Sequence, residues 1–144
     1  MIGGQNADIE AEEQAEPLTT EQILFIHANK TAALIQSAMT IGATLAGATD
    51  EEIAALELCA YNVGIAFQIQ DDILDVTSTT EELGKPVHSD EKNEKTTYVT
   101  LKGLEKATRD VEVISQEALE LLSGLDRENA YLTQLIRELI HRKK

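Results

Sequence analysis

Residues 50–76 constrain the fold more than any other part of the chain. Ile53, Leu56, Val63, Ile65, Phe67, Ile69, Ile73 and Leu74 lie on most sides of the helix that this segment predicts. Thr49 and Glu52 open it as a capping box, with a hydroxyl at the N-cap and a carboxylate three residues on. A helix apolar nearly all round is stable in water only with neighbours on several faces. The rest of the chain must supply those neighbours.

The neighbours are expected to be helical. Met1 to Glu16 reads as the end of a helix, broken at Pro17-Leu18. Thr19 and Gln22 form a second capping box, and a helical stretch runs from there to about Ala46 with Lys30-Thr31 near its middle. Ser78 to Asn93 is polar, contains Gly84-Lys85-Pro86 and reads as a loop. Helices from about Leu104 to Leu122 and about Glu128 to Arg142 follow, the second with Asp126 as N-cap and Arg142-Lys143-Lys144 at its negative dipole end. There is no strand alternation, internal repeat or low-complexity tract, so the expected class is all-α. At 144 residues the chain is one domain or part of a larger one. Four other helices are few partners for residues 50–76, and two of them are charged over much of their surface. Part of the core is expected to lie outside this sequence.

Charge narrows the function. A net charge of −14 argues against binding a nucleic-acid backbone. The first 16 residues are acidic with no apolar run, so no signal peptide is expected, and no membrane span is expected because no stretch reads as apolar for the roughly 18 residues one needs. One cysteine, Cys59, excludes an intramolecular disulfide and fits a reducing, cytoplasmic compartment. Residues 1–84 hold 15 acidic side chains and one basic one, Lys30, whereas residues 85–144 hold 11 of each. If Lys30 marks an anion site, the other cations must come from beyond residue 84.

The chemistry concentrates in Gln68-Ile69-Gln70-Asp71-Asp72-Ile73-Leu74-Asp75. On a helix, Asp75 falls about 40° from Asp71, Gln68 about 60° and Asp72 about 100°, so three carboxylates and an amide share one face. Gly64, at about 20°, leaves room for something to approach the backbone closely. Like charges one turn apart destabilise a helix, more so where water is excluded, and call for a compensating cation. A hard divalent ion such as Mg²⁺ answers that need and typically bridges to substrate phosphates. The alternative is a polar strip that water happens to reach.

Phe67-Gln68-Ile69-Gln70-Asp71-Asp72-Ile73-Leu74-Asp75 resembles the second aspartate-rich motif of trans-isoprenyl diphosphate synthases, the farnesyl and geranylgeranyl diphosphate synthase family. Gly4-Gln5 with Asp8 resembles the family's Gly-Gln helix, and His27-Ala28-Asn29-Lys30-Thr31 its Lys-Thr motif. Gly84-Lys85, Ser89-Asp90 and Lys95-Thr96-Thr97-Tyr98 resemble the loop after the aspartates. The resemblance implies an all-α, isoprenoid-synthase-type bundle. In that family three Mg²⁺ hold an allylic diphosphate between two aspartate-rich motifs, diphosphate leaves, and isopentenyl diphosphate attacks the allylic cation head to tail before losing a proton. It further implies that Asp71 ligates Mg²⁺ directly, with Asp72, Asp75 and Asp90 acting directly or through water. Lys30, Lys85 and Lys95 would contact the allylic diphosphate, Thr31 and Gln68 would flank the nascent cation, and Phe67 would line the hydrocarbon path.

Two substitutions depart from the family pattern, His88 for a small residue and Val99 for proline, and both concern loop conformation. The larger departure is that Asp71 to Asp75 is the only DDxxD in the sequence. The family's first aspartate motif and its isopentenyl-binding basic residues lie upstream of the Gly-Gln helix. The chain therefore reads as the C-terminal half of a synthase domain, with a homo-oligomer or the missing N-terminal half as partner. The rival readings are a non-catalytic subunit of similar fold, half of a terpene cyclase, or a metal-binding helical module without activity.

Overall fold

The computed structural model describes residues 1–13, 16–77, 96–127, 129–140 and 142. Among these, seven α-helices and one π-helical turn occur, and no strand: α1 (Ile2–Glu13), α2 (Thr20–His27), the π turn (Ala28–Ala32), α3 (Ala33–Leu45), α4 (Asp50–Thr77), α5 (Tyr98–Lys102), α6 (Leu104–Ser123) and α7 (Ala130–Ile140). Both capping boxes form. Thr19 Oγ1 accepts from Gln22 N–H while Gln22 Oε1 accepts from Thr19 N–H, and Thr49 and Glu52 exchange the same pair of bonds.

Three local expectations change. The helix expected from Thr20 to Ala46 is interrupted at Ala28–Ala32, where Ala33 N–H reaches back to the carbonyl of Ala28. That bond spans five residues instead of four, so one extra residue is looped into the rod beside Lys30 and Thr31. Helix α5 was not anticipated, because its capping box uses Thr100 where Glu or Gln is the usual signal. Helix α7 is capped by Asn129, whose Oδ1 accepts from Leu132 N–H, and not by Asp126.

Helix α4 is the centre of the molecule. Cys59, Val63, Ile65, Ala66, Ile69 and Ile73 join one core with Ile23 and Ile26 of α2, Tyr98 and Val99 of α5, Val111 and Leu122 of α6, and Ile136 and Ile140 of α7. Residues 50–77 do reach the length and apolarity of a membrane span, contrary to expectation, with mean hydropathy 1.2 over 18 residues. Their burial against the other helices makes α4 a core helix.

The unpartnered apolar flank lies elsewhere than expected. Among the large apolar side chains of α4 only Leu58 is exposed. Helix α3 has no buried residue, and Leu34, Ile41 and Leu45 are 52%, 60% and 84% exposed. Ile2 and Ile9 of α1 are exposed as well. Each of the pairs Ile2/Ile9 and Leu34/Ile41 is two turns apart, so each lies on a single helix face.

Candidate diphosphate and metal site

Helices α1, α2 and α4, the π turn and the start of α5 surround a cleft of about 160 Å³. Its lining includes Asp8, His27, Lys30, Gln68, Asp71, Asp72, Thr96 and Thr97. The aspartate strip and the lone cation of the first 84 residues are thus brought together, although 41 residues separate Lys30 from Asp71. Close helix packing achieves this. A Cβ on Gly64 would lie 2.4 Å from Cα of Ala32, and one on Gly4 would lie 2.4 Å from the backbone N of Lys30. What approaches Gly64 is therefore the π turn, not a ligand.

Each carboxylate of the strip has a different setting. The Asp71 side chain is 44% exposed, and its Oδ1 accepts from Arg142 Nη2 at 2.8 Å. Asp72 Oδ2 accepts from Tyr98 N–H at 2.8 Å, which ties α4 to the first turn of α5. Asp75 is 2% exposed and sits on the buried side of the helix. Three carboxylates on one face of a helical projection are thus three separate environments in space. Phe67 lies outside the cleft lining, with the Arg142 guanidinium 3.8 Å from its ring centroid. Thr31 is half-buried in the π turn and is not part of the cleft lining. Lys85, Asp90 and Lys95, with His88, lie outside the described residues.

Sequence reasoning left three residues unassigned to the site. Asp8, 6% exposed, pairs with Lys30 at 2.6 Å. His27 is buried and lines the cleft. Arg142 returns from the far end of the chain to Asp71 and Phe67, and its Nε is buried with no hydrogen-bond partner among the described residues. A terminal basic triplet after a helix signals only the helix dipole, so nothing in the sequence announced that contact. Tyr98 supports the site from behind. Its hydroxyl donates to Asp110 Oδ2 at 2.8 Å, and its pKa is pushed up to about 12, first by burial and then by Asp110. Burial tends to raise the Asp110 carboxyl, but hydrogen bonds from Lys106 and Tyr98 outweigh this and hold it below the usual range.

Among the described residues the fold is all-α, with a cleft that sets Asp8, Asp71 and Asp72 beside a lysine on a π turn. The known proteins it matches narrow that class. The polyprenyl synthetase family model matches residues 1–138, and the chain belongs to that family. It is 42% identical over 135 residues to a farnesyl diphosphate synthase of Bacillus subtilis, covering 94% of this chain and 45% of that protein. It is 43% identical over 130 residues to a chloroplastic geranylgeranyl pyrophosphate synthase of Capsicum annuum, covering 90% and 35%. Among solved structures, a geranyltransferase from Helicobacter pylori complexed with magnesium and isoprenyl diphosphate superimposes with a TM-score of 0.78 at 36% identity, over 97% of this chain and 45% of that one. The chain spans less than half the length of each of these three proteins.

Proposed function

We propose that residues 1–144 are the C-terminal part of a prenyl diphosphate synthase domain. With the rest of that domain, the chain would condense isopentenyl diphosphate head to tail with an allylic diphosphate. The observation that carries this reading is the cleft, which joins Lys30, Gln68 and a half-exposed Asp71 in a member of this family.

The residues present fit Mg²⁺. Asp71 offers hard carboxylate oxygen at the cleft, and Asp72 lines the same cleft. Among the described residues, no group of three His, Cys, Asp or Glu side chains could hold a metal alone. Mg²⁺ is commonly held by one or two carboxylates together with substrate phosphates, so an incomplete protein cage suits it. When bound, it would supply Lewis-acid charge at the leaving diphosphate.

The chain's own residues supply the remaining functions. Lys30 binds diphosphate oxygens as a compact point charge. Gln68, which lines the cleft, orients its oxygen dipole toward the carbon that becomes cationic, and Thr31, outside the lining, is assigned the same role by motif alone. Phe67 lines the hydrocarbon path, and Asp75, being buried, acts on the metal only through its neighbours. By motif alone, Lys85 and Lys95 are assigned to the diphosphate and Asp90 to the metal. Cys59 is a core residue whose thiol burial pushes up to about 11. The apolar flank of α1 and α3 is assigned to the remaining half of the domain, because the relatives carry that half in the same chain.

Calorimetric titration with an unreactive allylic thiodiphosphate tests the reading. Binding is expected in Mg²⁺, to disappear in EDTA, and to weaken at least tenfold in both Asp71→Ala and Lys30→Ala. Binding that survives EDTA and both substitutions would sink it.

A further inference from the structure

Lys30 has a problem that its motif does not solve. Its ammonium ends a flexible four-carbon stem, and holding such a stem in one geometry costs rotamer entropy. The side chain is 35% exposed, so packing alone does not fix it. Helix α1 does so at two points. Gly4 is buried against the backbone of Asn29 and Lys30, where a Cβ would come within 2.3 Å of the Asn29 carbonyl carbon. Asp8 lies one turn further along the same face of α1 and accepts from Lys30 Nζ at 2.6 Å. The Asp8 side chain is 9% exposed, so the anchor is itself held in place.

We propose that Gly4 and Asp8 form a fixture for Lys30. Gly4 sets the distance between α1 and the π turn, and Asp8 aims the ammonium into the cleft. Asp8 is thus a positioning residue that acts on the bound anion through Lys30. The inference rests on the reading of the cleft as a diphosphate site, but it makes a separate claim about how the cation is held. A charge-assisted bond to a buried carboxylate is short and directional, which suits it to this task. It also keeps one cation in place among acidic neighbours when no anion is bound.

Two measurements on the 144-residue chain test the fixture. The first is the rate at which an acylating reagent modifies Lys30, read by peptide mass spectrometry against Lys102 in the same sample. Lys30 is expected to react at least fivefold more slowly than Lys102, and Asp8→Asn is expected to abolish that protection. Asp8→Glu, which keeps the charge on a longer stem, should restore part of it. If Asp8→Asn fails to fold, the Glu variant decides, since unchanged protection there shows that carboxylate position does not matter. The second measurement is binding of inorganic pyrophosphate with Mg²⁺ to Asp8→Asn, Lys30→Met and the double variant. Asp8→Asn should weaken binding three- to tenfold alone and add nothing once Lys30 is Met. Losses that multiply, or Lys30 equally reactive in wild type and Asp8→Asn, would overturn the proposal. If the wild-type chain does not bind pyrophosphate, the diphosphate reading fails, and the acylation rates still decide the fixture.

Discussion

Gly64→Ala probes the packing that assembles the cleft. Its new Cβ would lie 2.4 Å from both Cα and Cβ of Ala32 and 3.0 Å from its backbone N, whereas ordinary contact begins at 3.4 Å. Helix α4 and the π turn would have to part by about 1 Å, and backbone cannot swing aside as a side-chain tip does. Overpacking of this kind typically costs 1–3 kcal/mol, and replacing a mid-helix Gly by Ala returns about 0.8–1 kcal/mol of propensity. The net expectation is a loss of about 1–2 kcal/mol, with clashing backbone placing the overpacking cost at the upper end of its range. Gly42→Ala is the internal control. Gly42 is exposed in α3 with nothing within 4 Å of a new Cβ, so the same exchange should be neutral or stabilise by about 0.5–1 kcal/mol. Urea unfolding followed by far-UV circular dichroism measures both. Ala32 is two residues from Lys30, and Gly64 is one turn before Gln68, so the displacement would also spread two walls of the cleft. If Gly64→Ala gains stability by as much as Gly42→Ala, α4 and the π turn are not in backbone contact and the account of the cleft is wrong.

Three further outcomes are expected. Asp72→Asn keeps an oxygen for Tyr98 N–H and should cost less than Asp72→Ala, which leaves that N–H without its acceptor and should cost about 1–3 kcal/mol in the same urea assay. Tyr98 holds its proton more tightly folded than unfolded, so its contribution to stability is complete below about pH 10 and declines as pH rises toward 12; Tyr98→Phe should remove that alkaline component from the pH dependence of unfolding. Replacing Leu34 and Ile41 by Lys should change stability by no more than about 0.5 kcal/mol each, because both are more than half exposed, yet shift light-scattering mass toward the monomer.

How far the sequence reached depended on the range of the contacts. Helix positions and the two serviceable N-caps were legible because Thr19 with Gln22 and Thr49 with Glu52 act within one turn. The core position of residues 50–76 followed from their apolar surround. Its consequence was misjudged, because periodicity counts apolar faces but cannot show which neighbour covers each one. The exposed flank accordingly lies on α3 and α1, whose patterns looked ordinary. The projection of Asp71, Asp72 and Asp75 was right as a projection and incomplete as chemistry. Angular position on a helix does not reveal that Tyr98 N–H meets one carboxylate, Arg142 a second, and burial encloses the third. The π turn escaped notice for a similar reason. An extra residue in a helix leaves the composition unchanged and is stabilised by tertiary contacts with Gly4 and Gly64.

On the proposed reading, the pairing pattern explains how a chain with a net charge of −14 would offer a site for a diphosphate. A basic patch would be the direct solution, but this surface has none before residue 85. Instead, the carboxylates that border the cleft are engaged locally: Asp8 by Lys30, Asp71 by Arg142, and Asp72 by a backbone N–H. The repulsion felt by an incoming anion is then set by short-range differences, since charges farther away are screened over about 8 Å at physiological ionic strength. On the proposed reading, a divalent ion arriving with the diphosphate would meet Asp71, whose carboxylate Arg142 holds. Metal and guanidinium would then compete for one group, and loading the site would weaken the tie between Arg142 and α4. By linkage, if Mg²⁺ weakens the Arg142 contact, that contact weakens Mg²⁺ binding in turn, so removing the Arg142 charge would strengthen it. Arg142→Met is accordingly expected to bind Mg²⁺-pyrophosphate more tightly than wild type in the calorimetric titration. Weaker binding would mean that Arg142 contacts the anion itself and does not hold the place of the metal.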